Sequence, residues 1–215
     1  MLRALSSALL PIFLLLGAAA QAQELSREQA EQSLSAADAQ ARRDAAARLG
    51  EVGTMADATM LVVSLRDVDE EVRARAEQAM WSIWARSGNK DVDRLYETGV
   101  QQMSAGDLQE SIATFTRIIR LKPDFAEGWN KRATLYFMVG DLRKSLADCD
   151  EVMKRNPNHF GALAGYAQIY FRLEYYDRAL DYSRRALAIN PNLDGVKRNM
   201  ELIEHVLEQR RRQMV

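Results

Sequence analysis

The sequence predicts an all-α solenoid of stacked helix pairs, and three observations carry that expectation. Pro123, Pro157 and Pro191 recur at one interval of 34 residues. At the same interval, large and small residues recur at helical spacing: Leu95, Trp129 and Leu163; Gly99, Ala133 and Ala167; Ser111, Ser145 and Ala179. Gly106-Asp107 and Gly140-Asp141 fall midway as turn signals. Each of 92–125, 126–159 and 160–193 therefore reads as two helices. Small residues at the eighth and twentieth positions let the backbones approach, and a proline stops the second helix.

The chain opens with "MLRALSSALLPIFLLLGAAAQAQ": a basic Arg3, an apolar run from Leu9 to Leu16, then Ala20-Gln21-Ala22. That is the anatomy of a secretory leader, expected at 1–22 with cleavage after Ala22. The run is shorter than the ~20 apolar residues of a spanning helix. An uncleaved leader acting as a membrane anchor is the alternative. Residues 23–37, "QELSREQAEQSLSAA", are polar and read as a linker or frayed helix.

Residues 38–88 carry a second, shorter period: "ARRDAAARL" at 41–49 returns as "VRARAEQAM" at 72–80. Leu65, Asp67, Asp69, Val72 and Arg73 form an L-x-D-x-D-x-x-V-R stretch that resembles short HEAT-like repeats. The resemblance implies that the aspartates cap a helix and that the arginine pairs nearby. So few units cannot bury their faces alone, since about three are needed. Trp81 and Trp84, three apart on one helix, are expected to make up the deficit by packing onto the first of the three helix pairs. "SGNKD" at 87–91 reads as the boundary between the two regions.

The 34-residue segments, at 92–193, resemble tetratricopeptide repeats, which implies a right-handed solenoid of helical hairpins. Three departures stand out: Gln102 where an aromatic is usual, Glu174-Tyr175 in place of Gly-Asp, and Thr98, Arg132 and Tyr166 at a position often held by leucine. After Leu193, Val196, Met200, Ile203 and Leu207 form one apolar stripe on a charged segment. This predicts an amphipathic helix within 194–215 that caps the raw end of the solenoid.

Cys149 lies between Asp148 and Asp150 in a chain with one cysteine and two histidines. Its place in the repeat points it at the partner helix, and successive helix positions diverge by about 100°, so the two aspartates do not converge on a metal. The cysteine reads as a buried space-filler.

The first helices of such repeats line a concave surface suited to extended segments of other proteins. By the resemblance, the candidate groove residues are Tyr96 and Val100, then Asn130, Lys131, Thr134, Phe137 and Met138, then Gln168, Phe171 and Arg172. Gly161 and Gly165 are expected to leave room for close approach. Tyr96 and Val100 replace the Lys and Asn by which one subgroup grips a terminal carboxylate, so that clamp is absent. The groove reads as apolar and aromatic, with Lys131 and Arg172 supplying positive charge.

With 29 basic and 30 acidic residues, the chain has no general attraction to nucleic acid. There is no G-x-S-x-G, H-E-x-x-H or phosphate loop, and Cys149 has no histidine at ligand spacing, so nothing points to catalysis or a cofactor. The expectation is an exported, periplasmic, non-catalytic scaffold or adaptor for a protein or peptide, outside the membrane once the leader is removed. A membrane-tethered assembly factor is the alternative.

Overall fold

The computed structural model describes residues 24–213, which lie in helices and short turns with no strand among them. The leader expected at 1–22 lies outside the described residues. A short N-terminal block comes first: α1 (Arg27–Ser33), α2 (Ala39–Val52), a 3-10 turn (Met55–Asp57), α3 (Ala58–Ser64) and α4 (Glu70–Trp84). Three helix pairs follow: α5 (Lys90–Ala105) with α6 (Leu108–Leu121), α7 (Ala126–Met138) with α8 (Leu142–Arg155), and α9 (Phe160–Arg172) with α10 (Tyr176–Ile189). A single helix, α11 (Asp194–Gln213), ends the described chain.

The N-terminal block is set by its caps and ion pairs. Helix α1 lies inside the stretch read as linker or frayed helix, yet it has a full capping box, with Ser26 and Gln29 satisfying each other's backbone. It also buries Ala30 and is tied down by Arg27, which forks onto Asp57 at 3.0 Å. Asp38 caps α2 and Asp69 caps α4. Arg42 is bidentate on Asp67 and Arg43 on Asp69, so the two arginines of α2 hold the turn that launches α4.

In the helix pairs, the eighth and twentieth positions touch. The Ser111 hydroxyl donates to the Gly99 carbonyl at 2.8 Å, and Ser145 repeats this on Ala133 at 2.7 Å. The facing position is tuned to the volume left over. Phe115 lies so close to Gly99 that a Cβ there would overlap its ring. Opposite the larger Ala133 and Ala167 the same position shrinks to Cys149 and Ser183. Asp148 forks onto Arg132 while Asp150 accepts from Tyr166, so the two carboxylates do diverge. Gly106 and Gly140 make the mid-repeat turns at φ 86° and 83°, and Glu174 takes their place at φ 60°.

The tryptophans contradict one expectation. They do not pack onto the first helix pair. Trp84 stacks on His159 at 4.3 Å and meets Phe160 at 4.9 Å, while Trp81 sits edge-on to Phe160 at 5.2 Å. The N-terminal core thus includes Phe160, with Ile189 and Leu193 against it, and no residue of the first pair. Polar contacts follow the same line: Glu77 accepts from Asn190, Asn192 donates to the Leu65 carbonyl, and Arg66 reaches the Ile189 carbonyl. After α4 the chain doubles back, so the block lies along the edge of the solenoid, against the N-termini of α9 and α11. The chemistry of the two surfaces explains the choice. Phe160 beside a bare Gly161 accepts two indoles, whereas the open side of the first pair shows Arg94, Thr98 and Arg117.

Candidate functional site

Helices α7 and α9 flank a crevice of about 50 Å³ lined by Asn130, Thr134, Phe137, Gly161, Gly165 and Gln168. Cys149 lies at its floor, 3.7 Å from where a Cβ on Gly165 would be, an ordinary contact distance. A second, narrower gap continues between α9 and α11, bounded by Phe171 and Asn199. The concave face therefore runs from α7 across α9 to the cap.

The ten sequence-derived residues divide into two sets. Tyr96 packs edge-on against Phe115 and Phe125, and its hydroxyl approaches Glu127 at 3.4 Å. Val100 packs on the core of the first pair. Asn130 is buried and donates to Glu127 at 3.0 Å. Lys131 is 3.2 Å from the same carboxylate and 6.0 Å from the centre of the Trp81 ring. These four serve the interior. In the other set, Thr134, Met138, Gln168 and Arg172 are exposed, and Phe137 and Phe171 are half-buried. The Arg172 guanidinium lies 5.6 Å over the Phe137 ring and donates to its carbonyl, joining α9 to α7.

Sequence reasoning did not find the group that organises the first set. Glu127 is 2% exposed, accepts from Asn130 and from His159, the latter at 2.9 Å, and forms an ion pair with Lys131. His159, fully buried, accepts the Ala162 amide on Nδ1 and so caps α9, which leaves Nε2 to carry the proton donated to Glu127. Burial pushes the Glu127 carboxyl up, but His159, Lys131 and Asn130 together hold it below the ordinary range. A glutamate at a groove position carries no local mark of burial; only the arrival of α4 over it removes the water.

Gly161 also differs from its reading. The room beside it is taken by Trp81, since a Cβ there would overlap the indole. Trp81, Glu127 and Lys131 thus close the groove at the N-terminal ends of its helices, and Thr134, Phe137, Met138, Gln168 and Arg172 border the part that stays open.

Burial, then the charges of Asp148 and Asp150, push the Cys149 thiol up to about 12. Among the described residues no three His, Cys, Asp or Glu side chains gather as metal ligands, and no helix is long and apolar enough to cross a membrane.

The arrangement defines a class, the helical-hairpin solenoid with a concave groove. Residues 161–193 match the family model described as tetratricopeptide repeat, and the three helix pairs have the fold of solved tetratricopeptide-repeat domains. No curated protein matches the chain. Among solved structures, the first tetratricopeptide domain of Spaghetti (RPAP3) bound to the HSP90 peptide SRMEEVD is 21% identical with a TM-score of 0.53, covering 54% of this chain and 93% of that one. The Sgt2 domain from Aspergillus fumigatus is 20% identical with a TM-score of 0.55, covering 58% and 83%. MamA is 16% identical with a TM-score of 0.52, covering 66% and 85%. At these identities the likeness is one of fold.

Proposed function

We propose that this chain is a non-catalytic adaptor that binds a segment of another protein along the open part of its groove, between α7, α9 and α11. The observation that carries the reading is the mixed surface of exposed Thr134, Met138, Gln168 and Arg172 around half-buried Phe137, beside a crevice floored by small residues. Phe137 and Met138 offer apolar contact, Gln168 and Thr134 can bond a peptide backbone, and Arg172 favours an acidic neighbour. The peptide held by the Spaghetti domain supports binding of this kind on this fold. The carboxylate clamp is absent, with Tyr96 and Val100 in its place, so the favoured segment is internal and not a chain end.

The test is capture from envelope extract by the unmodified chain and by a Thr134→Arg, Gln168→Arg variant. Both positions are exposed, so the variant keeps its helicity. A partner held by the first and lost by the second is the expected result; equal capture contradicts the groove as the binding surface.

Export belongs to the same proposal, supported by Arg3, the Leu9–Leu16 run and Ala20-Gln21-Ala22. Periplasmic protein with an intact mass starting at Gln23 is the expected outcome. A retained leader would support the membrane-tethered alternative.

A further inference from the structure

Helix α11 does more than cover the end of the third pair. It runs alongside α9 as α9 runs alongside α7: Arg172 reaches the Phe137 carbonyl 35 residues back, and Arg210 reaches Glu174 36 residues back. In that register Arg198 and Leu202 hold the positions of Asn130 and Thr134 on α7 and of Ala164 and Gln168 on α9. Asn199 borders the same gap as Gln168 and Phe171, which puts this side of α11 on the concave face. Leu202 takes no part in seating the helix. Val196 and Ile203 are buried against the third pair, whereas Leu202 is 49% exposed.

The charge on this part of the face has one sign. Helix α9 carries no acidic residue, and Glu127 of α7 is buried and paired with Lys131. That leaves Arg172 and Arg198, both exposed and outside any ion pair among the described residues. Asp194, one turn before Arg198, is held by Lys197 at 3.0 Å. Glu201 stands where Ala133 and Ala167 face their second helices, so on α11 it points to the side that a further helix would cover, away from the groove. Glu204 and Glu208 are paired with Arg184 and Arg212. The exposed carboxylate at a groove position, Glu97, is on α5, at the far end of the face.

The two cations are not side by side. Arg172 is level with Val206, eight residues on from Arg198, which is about 12 Å along a helix. With neighbouring axes about 9 Å apart, the two positions are separated by roughly 15 Å, the span of about four to five extended residues. Phe171 and Leu202 lie between them.

We infer that the segment held in the groove is acidic as well as apolar, with two carboxylates about four to five residues apart, one at Arg172 and one at Arg198, and an apolar side chain between them on Phe171 and Leu202. The inference rests on the groove reading above, and it adds α11 to the site as the wall that sets specificity. Each carboxylate gains a charge-assisted bond beside an apolar surface, where such bonds are strongest.

Fluorescence anisotropy with synthetic dodecapeptides, blocked at both ends, tests this. One probe has two aspartates five residues apart around leucines, a second has lysines in their place, and a third has the aspartates adjacent. The first is expected to bind about tenfold more tightly than the others and to lose that advantage in high salt. Arg198→Glu and Leu202→Asp, both at exposed positions, each weaken its binding by about tenfold. Equal binding of the three probes, no binding of the first, or binding that both substitutions leave unchanged overturns the proposal. The groove reading fails separately, when capture from envelope extract survives in the Thr134→Arg, Gln168→Arg variant. If that variant loses its partner while Arg198→Glu and Leu202→Asp keep it, the groove stands and the acidic assignment falls.

Discussion

Trp81 occupies the space that a side chain on Gly161 would need. The indole comes from the N-terminal block and the glycine from the first turn of α9, so this contact sets how far the block closes over the groove. Trp81 is held by Trp84 at 5.1 Å and by Phe160 and His159 on its other sides, which leaves the ring little freedom to yield. Gly161→Ala therefore overpacks the junction. A loss of about 1–3 kcal/mol in urea unfolding is expected, despite the better helix propensity of alanine. A neutral or stabilising outcome would mean the indole is not seated there.

Acid should open the molecule through its paired carboxylates. Burial pushes Asp57 up, but the bonds from Arg27 and Thr54 outweigh it and hold the group at about 2. Arg43 lowers Asp69, and the His159 cluster lowers Glu127 against its burial. Depressed folded values mean that the stabilisation is present above the unfolded carboxylate range, near pH ~4, and is lost as pH falls towards the folded values. Helical circular dichroism with urea should show stability falling between about pH 4 and pH 2. A flat profile through that window would contradict these pairings.

Cys149 should be silent in the native protein. Its thiol is 2% exposed and shifted up to about 12 by burial and two neighbouring carboxylates. A thiol reagent at pH 8 is expected to label the chain only after denaturant is added. Rapid labelling of the folded chain would place the sulfur outside the crevice floor.

Part of this structure was legible because it is local. The interval from Pro123 to Pro157 to Pro191 placed three helix pairs, and the small residues at Gly99, Ala133 and Ala167 marked where the backbones touch. The position of Cys149 followed from its register. The lateral seat of the N-terminal block was not legible, because it depends on the direction taken by the chain between Ala85 and Asn89. No periodicity records that direction. Trp81 and Trp84 signalled that something large is buried, but not whether Thr98 or Phe160 would be the neighbour. Gly161 read as room for close approach when it is space for Trp81, and nothing around Glu127 in the sequence marked it as buried. Both depend on a contact between residues far apart in the chain.

Hydrogen exchange on the unmodified chain and on Trp84→Ala tests that lateral seat most directly. If the block rests on the third pair and the cap, the substitution strips protection from the first turns of α9 and α11 and leaves α5 and α6 as they were. Protection lost from α5 and α6, with α9 unchanged, would place the block on the first pair and contradict the account.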